Sequence, residues 1–494
     1  MTLRRWGAAL ADLGLLALGI GWVARLAAFA RGAVFQSDEC FHATVAEWIA
    51  AHGRLPREIS SLYSGFAYFY APLFHVLGAV WIRVLGAGAL WSLNVVVSAA
   101  IVLAAWGAAR AAAGRDAARW AAALVMTSPG IARYAARLYV EPLSTLLALV
   151  ALWALIRFGR GARTRDAIAL GVASGLAWLA KPSALVLPAL WLALAAVALA
   201  HRRRDLARGL VLAVGMAVVV ASPLWLRDWI LFGSPVYPAF APDRHVLVDR
   251  LNQTTYSLAP GAFAGQMLST MGAWIPACAL AVVGLAWRDR RARPVAMAIG
   301  VCAAMIALAP LQPMVEPRHL HPVVAALAVL GAVGLARVAR PALVPVLGVL
   351  ALGAAALAVF TLANPRPEFD PDPAVMEAYA AMRRVVPPDA TVLSLWTYDT
   401  AYYTGRAATW PIPWGQRDHP VEMFFTADCD SVATSLERHR IGWVLMPADT
   451  PGDSVFDGAN YPRSFVGCMG RLADAGRARV AWRSDDLELL EMRR

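Results

Sequence analysis

The chain has 494 residues, 59% of them hydrophobic and 16% charged, with a mean hydropathy of +0.55 and a formal net charge of +12. Soluble proteins carry about 25% charged residues, so most of this chain is not built to face water. The positive charge lies in short arginine clusters between apolar segments rather than on one basic stripe, which argues against nucleic acid as a partner, and the cysteines show no C-x-x-C spacing that would mark a zinc or redox motif.

The first apolar segment, Trp6 to Ala30, reads as a membrane span and not as a signal peptide. It is longer than a signal core of roughly 7–15 residues, it lacks an A-x-A site, and many apolar segments follow it. Further spans are expected at 89–109, 117–134, 142–157, 166–180, 182–200, 209–231, 267–287, 294–312, 319–337 and 341–363, about eleven in all. Segments near 20 residues suit a hydrocarbon core of ~30 Å.

Arginine sets the orientation, because the connections facing the cytoplasm collect basic residues. Alternate connections hold Arg4 and Arg5; Arg110, Arg115 and Arg119; Arg157, Arg160, Arg163 and Arg165. The series continues with Arg202, Arg203, Arg204 and Arg208; Arg288, Arg290, Arg291 and Arg293; Arg337 and Arg340. The pattern places the N-terminus in the cytoplasm and the C-terminal region outside it, in a multi-pass protein of the plasma (inner) membrane.

The first outer loop, 31–88, is long, and its segment APLFHVLGAVWIRVLG reads as a helix lying in the interface. An amphipathic helix is expected from Cys40 to Ala51. Residues 1–363 form the membrane domain in this reading, and PRPEFDPDP opens a soluble domain at 364–494. That domain reads as α/β, with a helix at Met376–Val385, a strand at Thr391–Leu395, a helix around Leu436, a strand at IGWVLM and two closing strands after Arg479. The fold class is therefore all-α polytopic with a small C-terminal α/β domain. Cys429 and Cys468 could pair in an oxidising compartment or remain thiols.

Ionisable groups at a membrane are costly and mark candidate sites. Asp38 and Glu39 stand in FQSDECFH at the head of a helix, where the backbone dipole stabilises an anion that could act as a base. A plain helix cap is the structural alternative. His42 follows one turn later. Glu141 precedes Pro142 at the start of the fourth span, an ordinary helix opening or a second site acid. Lys181 is the single lysine among 45 basic side chains, in GLAWLAKPSAL at an outer span end. A compact point charge suits a phosphate, and a snorkelling structural lysine is the alternative. Arg227 and Arg318 also stand at outer ends, with Asp228 and Glu316 as salt-bridge candidates.

Together these residues resemble the GT-C superfamily, the multi-spanning glycosyltransferases that use polyprenyl-phosphate-linked sugars. The class includes the protein O-mannosyltransferases and the aminoarabinose transferase of lipid A. The resemblance rests on Asp38-Glu39 in a long outer loop, YFYAPLFHVLGAVW, Glu141-Pro142, GLAWLAKP, WLRDWILFGSPVYP and PRHLHPVVAALAVL, in that order. It implies an inverting transfer at the outer face, from a polyprenyl-phosphate sugar donor to a glycan, glycolipid or protein acceptor. Asp38 would be the base, with Glu39 and Glu141 as further site acids. Lys181, Arg227 and Arg318 would hold the donor phosphate, and His42, Tyr63, Tyr237, His319 and His321 would line the substrate. The first-loop lysine of some members is absent, and Arg54, Arg57 or Arg83 would replace it. No cofactor is expected and no metal is indicated. The competing classes are a transporter or flippase of a lipid-linked or anionic substrate, which should show paired halves, and a catalytically silent scaffold.

Overall fold

The structure, a computed structural model, describes residues 2–56, 68, 70–235, 318, 321–338, 373–394, 396–409, 428–448 and 463–493. The chain divides into two compact units: Met1–Ala33, Tyr70–Pro235 and Leu258–Arg366 form the first, and Val34–Phe69, Val236–Ser257 and Pro367–Arg494 the second. The expected spans at 267–287, 294–312 and 341–363 and the linker after Asn364 lie outside the described residues.

The first unit is helical. Its described helices are α1 (Thr2–Gly32), with α3 (Leu73–Leu85), α4 (Leu93–Ala113), α5 (Arg115–Met126), α6 (Pro129–Ala135), α7 (Glu141–Gly161), α8 (Thr164–Ala180), α9 (Val186–Ala200), α10 (Arg204–Phe232) and α11 (His321–Val338). Among the described residues, Asp12–Gly32, Ala87–Ala113, Glu141–Gly161, Pro182–Ala200 and Arg204–Leu231 are long and apolar enough to cross a membrane. At 1.5 Å per residue the 13-residue α3 reaches only ~20 Å, short of a ~30 Å core, as its interfacial reading requires.

One expected span is corrected. The segment 117–134 is not a continuous helix: α5 ends at Met126, and Pro129 opens the seven-residue α6. Proline lacks an N–H and favours the first turn of a new helix, so Thr127-Ser128-Pro129 breaks the helical ladder despite its apolar surroundings.

The interior of this unit is built from alanine. Ala105, Ala108, Ala117, Ala121, Ala132 and Ala328 are fully buried, whereas Leu13, Ile20, Leu103, Val219 and Ile230 face outward. Lipid tails solvate leucine as well as a protein core does, so helix association in a membrane favours small residues that let backbones close up. Gly171 and Gly175 of α8 show this against α10. A Cβ at Gly171 would strike the Ala213 carbonyl, and one at Gly175 would lie 2.7 Å from the Ala217 carbonyl oxygen. The 29-residue α10 is ~43 Å long and carries Pro223 inside it, four residues before Arg227.

The arginine-rich ends gather at one end of the bundle. Arg115 and Arg119 both pair with Asp12 of α1, Arg119 at 2.7 Å. Arg160 at the end of α7 donates to the Ala112 carbonyl at the end of α4 (3.0 Å), where a cation also meets the negative pole of the helix. Arg157 and Asp166 tie α7 to α8 at 3.0 Å.

The second unit holds α2 (Asp38–His52), α12 (Pro373–Val385), α13 (Thr397–Thr404), α14 (Cys429–Arg438) and α15 (Arg463–Asp474). They accompany β1 (Thr391–Leu393), β2 (Ala407–Thr409), β3 (Ile441–Pro447), β4 (Ala478–Arg483) and β5 (Leu487–Met492), in the order β2-β1-β3-β5-β4. The β1 strand is parallel to β2 and β3, with Val392 opposite Ala408 and Trp443; β5 is antiparallel to β3 and β4. Side chains alternate across a strand, and β3 shows the consequence. Trp443 and Leu445 join the α12 core with Tyr379 and Met382, while Val444 and Met446 join α14 and α15 with Leu436 and Phe465. Cys429 and Cys468 pair, tying α14 to α15.

The amphipathic helix expected at 40–51 is also corrected. Helix α2 begins at Asp38, and Glu39 to Ala46 are buried without interruption, on every side of the helix. Over these residues it is a helix buried on all sides rather than an amphipathic one.

The Gly175 contact gives the first prediction. Gly175→Val forces its side chain into the α10 backbone and should destabilise the detergent-solubilised protein by about 1–3 kcal/mol. Gly215→Ala on α10, where a Cβ meets nothing within 4 Å, should leave the thermal midpoint unchanged or raised. Equal midpoints for the two variants would refute the close approach.

Candidate active site

Two side-chain clusters carry the expected residues, one in each unit. In the first unit the chain positions a lysine and a glutamate by the same device, a proline in the following position. The residue before proline is driven to extended backbone, and Lys181 sits at φ −149°, ψ 125°, ending α8 where its N–H still reaches the Ala177 carbonyl. Glu141 opens α7 with Pro142 in the first turn, so its carboxylate stands at the positive pole of that helix.

These two ends meet. Lys181 Nζ donates to Glu141 Oε1 at 2.7 Å, with the lysine side chain 16% and the carboxylate 4% exposed. Arg318 brings its Nε to 4.0 Å from the same oxygen. Its guanidinium lies over the Tyr139 ring, 4.8 Å from the centroid, and Tyr139 meets Tyr134 edge to face. The backbone carrying Tyr139 is fixed by Asn94 of α4, which donates to the Arg137 carbonyl and, at 2.7 Å, to that of Tyr139. Two cations thus share one carboxylate among aromatic faces.

Arg227 is held differently. Its guanidinium pairs with the buried Asp228, Nη2 to Oδ1 at 2.6 Å, as the sequence suggested, and donates to the Tyr70 carbonyl at 2.8 Å. Leu224, one turn earlier, packs with Trp178 near the end of α8, so Arg227 and Lys181 lie at the same end of the bundle. The partner expected for Arg318, Glu316, lies outside the described residues.

His321 is fully buried. Its Nε2 faces the Gly130 carbonyl at 3.0 Å, so that nitrogen carries the proton, and Nδ1 accepts from the Thr145 hydroxyl at 3.3 Å. With both nitrogens engaged it ties α11 to α6 and α7. Tyr63, Tyr237 and His319 lie outside the described residues, as does Arg57. Arg54 and Arg83 are solvent-exposed.

In the second unit, Asp38 is the half-buried first residue of α2, while Glu39 and His42 are buried. Glu39 turns back on its own helix: its Oε2 accepts from the Gln36 N–H at 3.2 Å, the contact of a capping residue. His42 lies edge-on to Phe41. The sequence missed Asp399 of α13, whose carboxylate reaches the entry of α2: Oδ1 accepts from the Ser37 N–H at 2.6 Å and from the Cys40 thiol at 3.1 Å. Asp399 lies more than 350 positions away in WTYDTAYYTG, and no local pattern announces that contact. Asn94, also not among the expected residues, does carry a local signal, as a polar residue inside an apolar span.

The Lys181–Glu141 bond makes a direct prediction. Removing one partner of a buried pair strands the other charge, at a cost of about 3–5 kcal/mol. Lys181→Met and Glu141→Gln should each lower the thermal midpoint, and the double variant should be less destabilised than their sum by about 0.5–3 kcal/mol. Strictly additive losses would mean that the two side chains do not bond.

No curated protein matches this sequence significantly. Among solved structures the fold is similar to that of ArnT from Cupriavidus metallidurans in the apo state, at 16% identity over 99% of this chain and 98% of the other, with a TM-score of 0.67. The same enzyme bound to undecaprenyl phosphate matches at 16% identity over 98% and 97% of the two chains, with a TM-score of 0.62. The oligosaccharyltransferase AglB from Archaeoglobus fulgidus, in complex with an inhibitory peptide and a dolichol-phosphate, gives 13% identity over 90% of this chain and 70% of the other, with a TM-score of 0.65. The sequence profile of the Alg9-like mannosyltransferase family matches residues 23–364, most of the chain and nearly all of its apolar part. The chain therefore belongs to the Alg9-like mannosyltransferase family, a multi-pass membrane family of the GT-C glycosyltransferase class.

Proposed function

We propose that this protein moves a sugar from a polyprenyl-phosphate carrier to an acceptor hydroxyl at the extracytoplasmic face, with inversion at the anomeric carbon. The observation that carries the reading is the cluster of Lys181 and Arg318 around Glu141, at the opposite end of the helices from the arginine-rich connections. In the transfer the acceptor oxygen attacks the anomeric carbon and passes its proton to Asp38. The bond from that carbon to the phosphate oxygen breaks, and polyprenyl phosphate leaves with the electron pair.

The charge balance favours this direction. The donor is a phosphodiester with one negative charge; the departing monoester, with a second pKa of ~6, gains most of another. Lys181 and Arg318, both largely buried around Glu141, are cations placed to meet it in a poorly hydrated site. The interaction strengthens as the phosphate leaves, the differential binding that lowers a barrier. Glu141 holds the two cations together against their mutual repulsion, and Arg227, paired with Asp228, lies at the same end of the bundle.

Two features support the extracytoplasmic placement. Arginine gathers at the other end of the bundle, and Cys429 pairs with Cys468 in the C-terminal domain, as suits an oxidising compartment. The eleven-span topology and the sugar and acceptor classes belong to the same proposal. Mannose is the first sugar to test, on the strength of the family.

A deletion strain supplies unmodified acceptor, identified by mass spectrometry of its glycolipids and glycoproteins. With that acceptor fraction and polyprenyl-phosphomannose, Asp38→Asn should lower transfer by ~10² or more while insertion and folding are kept. Near-normal turnover of a folded Asp38→Asn protein would remove Asp38 as the base. Lys181→Ala should weaken donor affinity ~10-fold or more, since a charge-assisted contact is worth on the order of 1.5–3 kcal/mol. Lys181→Arg should fall between, its fork being larger and planar. Unchanged donor affinity in a folded Lys181→Ala protein would rule out the phosphate role.

A further inference from the structure

We infer that Asp399 is a positioning residue for the transfer: one of its carboxylate oxygens grips the N-terminal turn of α2 on both sides of Asp38 and so sets where that base points. The inference rests on the reading of Asp38 as the base.

Ser37 precedes Asp38 and Cys40 follows it by two positions, and both donate to Asp399 Oδ1, at 2.6 and 3.1 Å. An acid from elsewhere in the chain thus takes the cap residue's own N–H, the donor that the third residue of a capping box usually reaches back to, together with a side chain of the first turn. Ser37 stands at the cap position and makes no side-chain cap bond. Its backbone is unusual: φ 49°, ψ −123°, a left-handed conformation in a residue that is not glycine. Such a conformation costs on its own and persists only where the surroundings hold it. The twist aims the Ser37 N–H at the carboxylate.

The rest of α13 reinforces the grip. Tyr403 donates its hydroxyl to the Phe35 carbonyl at 2.6 Å, and Tyr398 packs on Phe41 with ring centroids 5.0 Å apart. From residue 35 to residue 41 the chain is held by one short helix, with the half-exposed Asp38 in the middle of the held stretch.

Asp399 is buried, which lifts its carboxyl to about 6, with the Cys40 and Ser37 bonds opposing the rise and the Asp38 charge adding to it. The groups that face it are Asp38 and Cys40 of α2, Tyr379 of α12 and Tyr403 of its own helix, and Glu39 of α2 lies near Cys40 and Tyr403. Arg383 of α12 reaches the same helix at the Tyr403 carbonyl, and β2, which packs beside it, has no titratable side chain. Above about pH 6 the carboxylate is ionised and the grip on Ser37 is charge-assisted. As the pH falls through that value the oxygen loses its charge and the grip weakens.

The test uses the full-length protein in proteoliposomes, with polyprenyl-phosphomannose as donor and the acceptor fraction of a deletion strain. Asp399→Asn should lower kcat by roughly 10–100-fold, the scale of a misplaced catalytic group, with donor KM changed less than about 2-fold. The part of the acid limb near pH 6 should disappear from its kcat profile. Glycine adopts a positive φ without strain, so adding Ser37→Gly to Asp399→Asn should recover part of the lost kcat. Full kcat in Asp399→Asn, or a loss that Ser37→Gly leaves untouched together with an unmoved acid limb, would overturn the inference. Should Asp399→Asn fail to fold, hydrogen exchange at the Ser37 amide of the unmutated protein decides: protection that weakens below about pH 6 supports the grip, and open-chain exchange overturns it. Asp38→Asn is run in parallel. If it retains turnover, the base assignment has failed; if it is inactive while Asp399→Asn is fully active, only the positioning role has.

Discussion

The ion pair between Lys181 and Glu141 is the constraint on which the first unit's site depends. It joins the residue that caps the end of α8 to the first residue of α7, and a bond of 2.7 Å tolerates little error in where either helix stops. Proline sets both stops. Pro182 forces Lys181 out of the helix, and Pro142 makes Glu141 the natural first residue of α7. Because Arg318 approaches the same oxygen, the position of the second cation follows from the first pair. The two positive charges would repel one another without the shared carboxylate, which is why the acid belongs to the phosphate-binding reading rather than competing with it.

Helix ends meet this closely only if the helices themselves pack closely. Alanine and glycine in the interior of the first unit supply that, and large side chains turn outward to lipid. In water this arrangement would waste the hydrophobic effect, since the residues with most apolar surface are the exposed ones. In a bilayer nothing is lost, and the gain is dispersion contact between backbones. The cost is rigidity toward substitution: a single added methyl at Gly171 has the Ala213 carbonyl in its way.

The sequence told most about features that chemistry fixes locally. Helix ends followed from glycine, proline and arginine, and the α/β alternation after residue 373 followed from period-two patterning that β3 displays on both faces. Lys181 stood out because the composition contains no other lysine. Hydropathy misled where a short polar turn interrupted an apolar run, at Thr127-Ser128-Pro129, and where a segment of mixed polarity turned out to be buried all round, in α2. Partners were harder to read. Glu141 and Lys181 were both singled out, yet nothing in a sequence says that residues 40 apart will bond. Asp399 was invisible for the same reason at greater range: its role comes from what it touches and not from the residues beside it.

Pro223 gives the bundle a compliant joint near the site. A proline inside a helix leaves the carbonyl one turn earlier, at Val219, without its usual amide, so the backbone bond that would resist bending there is already missing. Arg227 lies four residues, ~6 Å, beyond it, where a tilt of ten degrees carries the guanidinium's anchor about 1 Å. The end of α10 can therefore flex at one point, while Glu141 and Lys181 tie α7 to the end of α8. The Lys181–Glu141 pair is thus a rigid seat, and Arg227, at the same end of the bundle, sits beyond a joint.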